Sequence, residues 1–283
     1  MPNWVENKLA IHKKHKDILL NENGELDFGK LLPMPESLNI TSGGHQREAV
    51  ALYLYKERGE AEKLNEIFES YKNSNPGSEI KNVGEYADHL EEEYRASFTK
   101  LMENPNAKLE YKNERAEEMK KFPTLASQGE VYVTNKEKYG AETWYEWRNL
   151  NWGCKWNASE SYVEETGDLL EISFNTPWGP PSGWLEKLSE AAPFYLEWIE
   201  EQGYHGEFIC DAKKSLVDND LPFFRYEEEM PADISEEDAE SWYDDDHYLS
   251  DDEIAEQYMF DNMKESVIDW ENEFEEEYEQ DFI

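Results

Sequence analysis

The residues Asn3–Lys13 alternate apolar and polar positions around Trp4, Glu6, Leu9 and Ile11, a period of two that predicts a first β-strand. The following GELDFGKLLPMPESL carries Pro33 and Pro35, which push the preceding residues out of helical backbone, so it reads as an extended connection. From about His45 to Lys121 the period changes. Leu54, Leu64, Ile67, Phe68 and Tyr71 fall at helical spacings, and Asn75–Ser78 (NPGS) breaks the run. Tyr86, Leu90, Tyr94, Phe98 and Leu101 then recur in steps of three or four and predict a second helix, with a third short one over Asn113–Phe122.

Past this block, Trp144, Trp147 and Leu150 mark a helix end that Gly153 stops. ASESYVEET and LLEISFNTPW read as two strands joined at Gly167-Asp168. Pro180 and Pro181 open a helix with Trp184, Leu185 and Leu188 on one side, and FYLEWIEEQGYHGEFICDA gives one or two further strands around Gly203 and Gly206. The order β, helical insert, β, β, α, β predicts an α+β protein. Its expected core is a ferredoxin-like split βαβ over 1–44 and 123–225, with a helical insertion at 45–122 and an acidic helical extension at 226–283.

In that extension Ser235 with Asp238, and Ser250 with Glu253, have capping-box spacing. Ile254, Tyr258, Met263, Val267, Trp270, Phe274, Tyr278 and Phe282 then form a stripe, which predicts an amphipathic helix lying on something apolar, with Trp270 turned to the protein's own core.

Charge sharpens the picture. The net charge is −39 over 283 residues, and residues 226–283 hold 25 Asp and Glu against one Lys. Such a chain repels nucleic acid, anionic membranes and acidic substrates and attracts basic partners, many of which carry nucleic-acid grooves. Hydrophobic residues at 38% and aromatics at 14% suffice for a core. Cys154 and Cys210 lack CxxC spacing and read as free thiols of a reducing cytosol; the first residues lack a signal-like apolar segment, and no apolar run nears a membrane span.

The pieces MPNW.EN.L, LLPMP at Leu31–Pro35, YG..TWYEWR..NWG.KWNA from Tyr139 and F.TPW.PP at Phe174–Pro181 resemble the Api92-like proteins of phages and conjugative plasmids. Trp4, Trp152, Gly153, Trp156, Asn157 and Trp178 are the signature positions, read as structural. The chain departs from the family at Val5, where Cys is frequent, and at Cys154, where Thr is frequent. The resemblance implies a ferredoxin-like module and a mobile-element setting, and it brings no catalytic residues.

Catalytic chemistry finds little foothold. Cys154 beside Lys155 lacks a neighbouring base, and the expected role of NWGCKWNA is a Gly turn whose Trp152 and Trp156 pack against Trp178. The histidines show no metal-ligand spacing; HKKHK, containing His12 and His15, reads as a solvated strand end. DDDHYLSDDE fails the EF-hand register, and no phosphate-binding glycine loop occurs, so no metal and no cofactor is expected.

The carboxylates remain. Fourteen lie between Asp251 and Asp281; along a helix they would average about 3.3 Å apart, near the roughly 3.4 Å spacing of phosphates on one nucleic-acid strand. The expectation is a non-enzymatic, cytosolic nucleic-acid mimic that occupies the groove of a basic host defence protein, a restriction or CRISPR effector, without binding nucleic acid or membrane itself. The expected contacts are Glu227, Glu228, Glu229, Asp244, Asp245, Asp246, Asp251, Asp252, Glu253, Glu275, Glu276 and Glu277, with Trp242 as an anchor. Two alternatives are a small hydrolase or nucleotide-handling enzyme using the His205–Asp211 region, and a homo-oligomeric structural protein of a mobile element.

Overall fold

The computed structural model describes residues 3–213, 216–220 and 260–280. In chain order its elements are β1 (Trp4–His12), α1 (Lys16–Leu19), α2 (Phe28–Leu31), α3 (Gln46–Arg58), α4 (Glu62–Ser74), α5 (Val83–Glu103), α6 (Leu109–Lys121), α7 (Leu125–Tyr139) and α8 (Trp144–Asn151). Then follow β2 (Ser159–Thr166), β3 (Leu169–Pro177), α9 (Ser182–Ser189), β4 (Phe194–Glu200), β5 (His205–Cys210), β6 (Leu216–Asp220), α10 (Phe260–Met263) and α11 (Ser266–Gln280). The chain divides into two compact units, Met1–Pro33 with Arg148–Ile283, and Met34–Trp147.

The first unit is built on a six-stranded sheet in the order β2-β3-β1-β4-β5-β6, antiparallel throughout. The α+β class expected from sequence holds. The sheet is wider than the four or five strands expected, because β6 continues past β5. Register sorts the side chains into two faces. On one, Leu9 and Ile11 stand opposite Ile172 and Leu170 on one side and Leu196 and Phe194 on the other, all buried. Phe28 of α2 packs on this face, edge-on to Phe174 at 5.9 Å, with Trp184 of α9 at 4.9 Å and Trp152 at 5.7 Å.

The stretch before Pro33, expected to be extended throughout, contains α2. Asp27 caps it, its carboxylate accepting from Gly29 N at 2.8 Å, so the two prolines lie beyond a helix that has already closed.

On the other face Ala10, Leu169 and Tyr195 form a cluster with Phe260 and Val267 of the C-terminal helices, and Met263, Ile268 and Trp270 pack at its edge. Met263, Val267 and Trp270 of the tail stripe therefore have an apolar bed, and the bed is the protein's own sheet. Lys264 Nζ adds an ion pair to Glu171 at 3.1 Å.

The second unit is all helix in its regular elements. Its core joins Leu52, Leu64, Phe68, Tyr86, Leu90 and Tyr132. Segments 34–44 and 123–147, assigned from sequence to the core domain, belong to this unit and give its cluster Ile40 and Leu125. Helices α3 and α7 meet at Gly129, where a Cβ would lie 2.0 Å from the Ala49 carbonyl oxygen. The buried Glu91 carboxylate of α5 accepts from Leu125 N (3.0 Å) and Ala126 N (3.3 Å), closing the N-terminus of α7 with negative charge.

Candidate functional site

The octapeptide Asn151–Ala158 folds as a turn that fastens helix to sheet. Gly153 takes φ +81°, and a Cβ there would meet Ser182 Oγ at 2.7 Å and Ser182 N at 2.8 Å. That close approach lets the Trp152 carbonyl accept from Trp184 N (3.2 Å) in the first turn of α9. Trp152 is buried, its Nε1 donating to Leu32 O at 3.0 Å and the Arg148 guanidinium lying 4.9 Å from its ring. Asn157 ties the turn to α2. Its Oδ1 accepts from Phe28 N at 2.8 Å, and its Nδ2 donates to Asp27 Oδ1 at 2.7 Å.

Cys154 is buried, its thiol donates to Trp156 O at 3.2 Å, and burial pushes its pKa up to about 12. At neutral pH the sulfur is a thiol, the non-nucleophilic form.

Trp152 and Trp156 part company here. The expectation that both pack against Trp178 is corrected: Trp152 points to the core against Phe28, and Trp156 alone reaches the surface cluster, because the left-handed Gly153 turns the chain between them. Trp156 stands 5.6 Å from Trp178 and 6.0 Å from Trp4, a ladder of three indoles. The Lys155 ammonium lies 4.8 Å from the Trp156 ring centre and 5.7 Å from that of Trp178. Trp178 is 55% exposed and holds φ +64°. In a bulky residue that backbone costs roughly 1–2 kcal/mol. Three bonds hold it there: Trp178 N donates to Asn3 O (2.8 Å), the Thr176 hydroxyl donates to Gly179 O (2.8 Å), and Asn7 Nδ2 donates to Thr176 Oγ1 (2.9 Å).

The basic cluster at the end of β1 is a socket for the acidic helix, not a solvated strand end. Lys14 Nζ contacts Glu271 and Glu275, each at 2.5 Å, and His15 Nε2 lies 2.9 Å from Glu271 Oε2. Glu271 is 2% exposed. Burial pushes its carboxyl pKa up, but the hydrogen bonds from His15 and Lys14 outweigh that and hold it below the usual carboxylate value. Lys13 and Lys16 take Asp168 and Glu165 of the β2–β3 hairpin.

Of the expected partner contacts, Glu275 is exposed and holds Lys14. Glu276 and Glu277 follow in α11, their side chains outside the described part. Glu227, Glu228, Glu229, Trp242, Asp244, Asp245, Asp246, Asp251, Asp252 and Glu253 lie outside the described residues, as do both capping boxes.

His205 and Glu207 share one face of β5, and both are buried. His205 Nδ1 lies 3.4 Å from Gly203 O, and burial lowers its pKa. The Tyr195 hydroxyl sits 2.7 Å from Glu197 Oε1 and 2.8 Å from Glu207 Oε2, where burial and both carboxylates raise its pKa. Asp211 caps the chain beyond, accepting from Lys213 N at 2.9 Å.

Within the helical unit a cleft of about 420 Å³ is lined by Gly43, Gln46, Arg47, Lys63, Glu66 and Glu142, two cationic and two acidic side chains among them. Among the described residues no three His, Cys, Asp or Glu side chains group to hold a metal ion, and no helix is long and apolar enough to cross a membrane.

No family model matches the chain, and no curated protein matches it. One solved structure is similar: protein api92 from Yersinia pseudotuberculosis, of the family DUF1281, at 13% identity over 78% of this chain and 99% of that one, with a TM-score of 0.32.

Proposed function

We propose that this chain is a non-enzymatic interaction protein whose acidic C-terminal region occupies the nucleic-acid groove of a basic partner, as an anti-defence protein of a mobile element would in a bacterial cytosol. The observation that carries the reading is the concentration of 25 carboxylates against one lysine in residues 226–283. The Lys14 socket supports it on a small scale: two carboxylates of one helix face converge on a single cation. His205 and Glu207, which the enzymatic alternative would use, are 3% and 7% exposed, a poor position for meeting a substrate.

Deleting the tail is a poor test, because it would strip Phe260 and Val267 from the sheet. Charge neutralisation leaves them in place. Changing Glu227–Glu229, Asp244–Asp246 and Asp251–Glu253 to Gln or Asn should abolish capture of nucleic-acid-binding proteins from a bacterial cytosol. Duplex DNA should compete with the wild-type protein for them, and raising salt from about 0.1 to 0.5 M should weaken binding more than tenfold. Partners that stay bound to the neutralised protein and ignore salt refute the reading.

A further inference from the structure

The ladder Trp4–Trp156–Trp178 is not absorbed by the acidic-tail reading, and it has its own chemistry. Its outer member is 55% exposed, although an indole of that size ordinarily gains by burial. Its backbone sits at φ +64°, a conformation suited to glycine; Trp178 N donating to Asn3 O, Thr176 Oγ1 donating to Gly179 O and Asn7 Nδ2 donating to Thr176 Oγ1 keep it there. Strain held by its surroundings around an outward-facing aromatic ring is a mark of a contact site.

The ladder already accommodates a cation. The Lys155 ammonium stands within 6 Å of two indole rings, the range in which the ring quadrupole attracts positive charge. A carboxylate stands at the Trp4 end, where Glu201 Oε1 accepts from Trp4 N at 3.1 Å. With a chain at −39, the complementary occupant is cationic. Between the two cationic side chains, the planar and weakly hydrated guanidinium stacks on an indole, whereas an ammonium must shed tightly bound water.

We propose that Trp156 and Trp178 form a fork that takes an arginine side chain of a basic partner, with Lys155 as the internal occupant that arginine displaces. This rests on the reading of the protein as one that binds basic partners, and it adds a specific anchor to a diffuse electrostatic attraction.

The test uses the full chain with indole-¹⁵N-labelled tryptophan. The probes are the peptide acetyl-Gly-Arg-Gly-Arg-Gly-amide and its citrulline counterpart, which keeps the shape and loses the charge. Salt at about 0.5 M screens the charge of the tail carboxylates. The arginine peptide should shift the Trp178 indole resonance, and the citrulline peptide should not. Trp178→Ala should weaken binding about fivefold, Trp178→Tyr should keep part of it, and Lys155→Gln should tighten it. If Trp178→Ala does not fold, Trp178→Gly, whose backbone suits this φ, replaces it. Equal binding of the two peptides, unchanged affinity in the Trp178 variant, or no gain in Lys155→Gln each overturns the proposal. Repeating the titration with the tail carboxylates neutralised separates the two ideas: the arginine effect should persist there, so capture that survives neutralisation refutes only the tail, and loss of the indole shift refutes only the fork.

Discussion

Replacing Gly153 by Ala puts two separate penalties on one atom. The first is backbone. At φ +81° an L side chain costs roughly 1–2 kcal/mol. The second is space: the new Cβ would lie 2.7 Å from Ser182 Oγ, 2.8 Å from Ser182 N and 2.9 Å from Gly183 N. Two of those atoms are backbone of the first turn of α9, so relief requires α9 to retreat from the Trp152 carbonyl that Trp184 N reaches at 3.2 Å. Overpacking of this kind costs about 1–3 kcal/mol, for a total of about 2–5 kcal/mol. Gly167 supplies the control in the same unit: φ is +64°, yet nothing lies within 4 Å of its Cβ position, so Gly167→Ala carries the backbone penalty alone. Urea unfolding followed by near-UV circular dichroism reads both. With a slope of about 2 kcal/mol per molar urea, the midpoint should fall by about 1–2.5 M for Gly153→Ala and by about 0.5–1 M for Gly167→Ala. Equal shifts for the two variants would refute the claim that contact with α9 makes glycine obligatory at position 153.

Glu271→Gln leaves Lys14 and His15 facing a neutral amide in a mostly buried position and should cost about 2–3 kcal/mol at pH 7. Because the Glu271 carboxyl pKa is held below its ordinary value, its contribution is present above the unfolded carboxyl pKa and fades as pH falls through the folded one. The difference between wild type and variant, measured by urea midpoint, should therefore shrink below about pH 4.5. Asn157→Asp places a second carboxylate 2.7 Å from Asp27 Oδ1 and should destabilise by at least about 2 kcal/mol at neutral pH, with part recovered in acid; no pH dependence would contradict the geometry. Cys154, buried with its thiol pKa raised to about 12, should resist a thiol reagent in the native protein and react once urea unfolds it. Trp178→Gly should be more stable than Trp178→Ala by about 1 kcal/mol, the reverse of the order found at ordinary positions.

Local signals told the sequence what they could. Alternation marked β1, and Gly167-Asp168 marked the turn of the β2–β3 hairpin. The Tyr86, Leu90 and Tyr94 spacing marked α5, which Asn82 caps, its side chain accepting from Glu85 N. Helix α7 was missed because its buried face is chemically mixed. Gln128 and Asn135 are buried beside Tyr132, and Gly129 stands where α3 comes too close for any side chain, so the hydrophobic period is blurred. Strand β6, LVDND, is too short and too acidic to announce itself. The socket made by Lys14 and His15 was read as a solvated end because its partner, Glu271, lies 256 residues away in sequence. The three-indole ladder was half legible: the aromatic residues were visible, but which of Trp152 and Trp156 reached Trp178 depended on one left-handed glycine.

That separation of 256 residues between His15 and Glu271 also sets a clock. At about 5–20 residues per second, a ribosome needs roughly 13–50 s to make the chain between them. Strand β1 is made well before Phe260 and Val267, which cover its Ala10 side. Until they arrive, Ala10, Leu169 and Tyr195 of three adjacent strands lack their apolar cover. Synthesis therefore passes through a stage that invites chaperone binding, and it ends only when the acidic helix arrives.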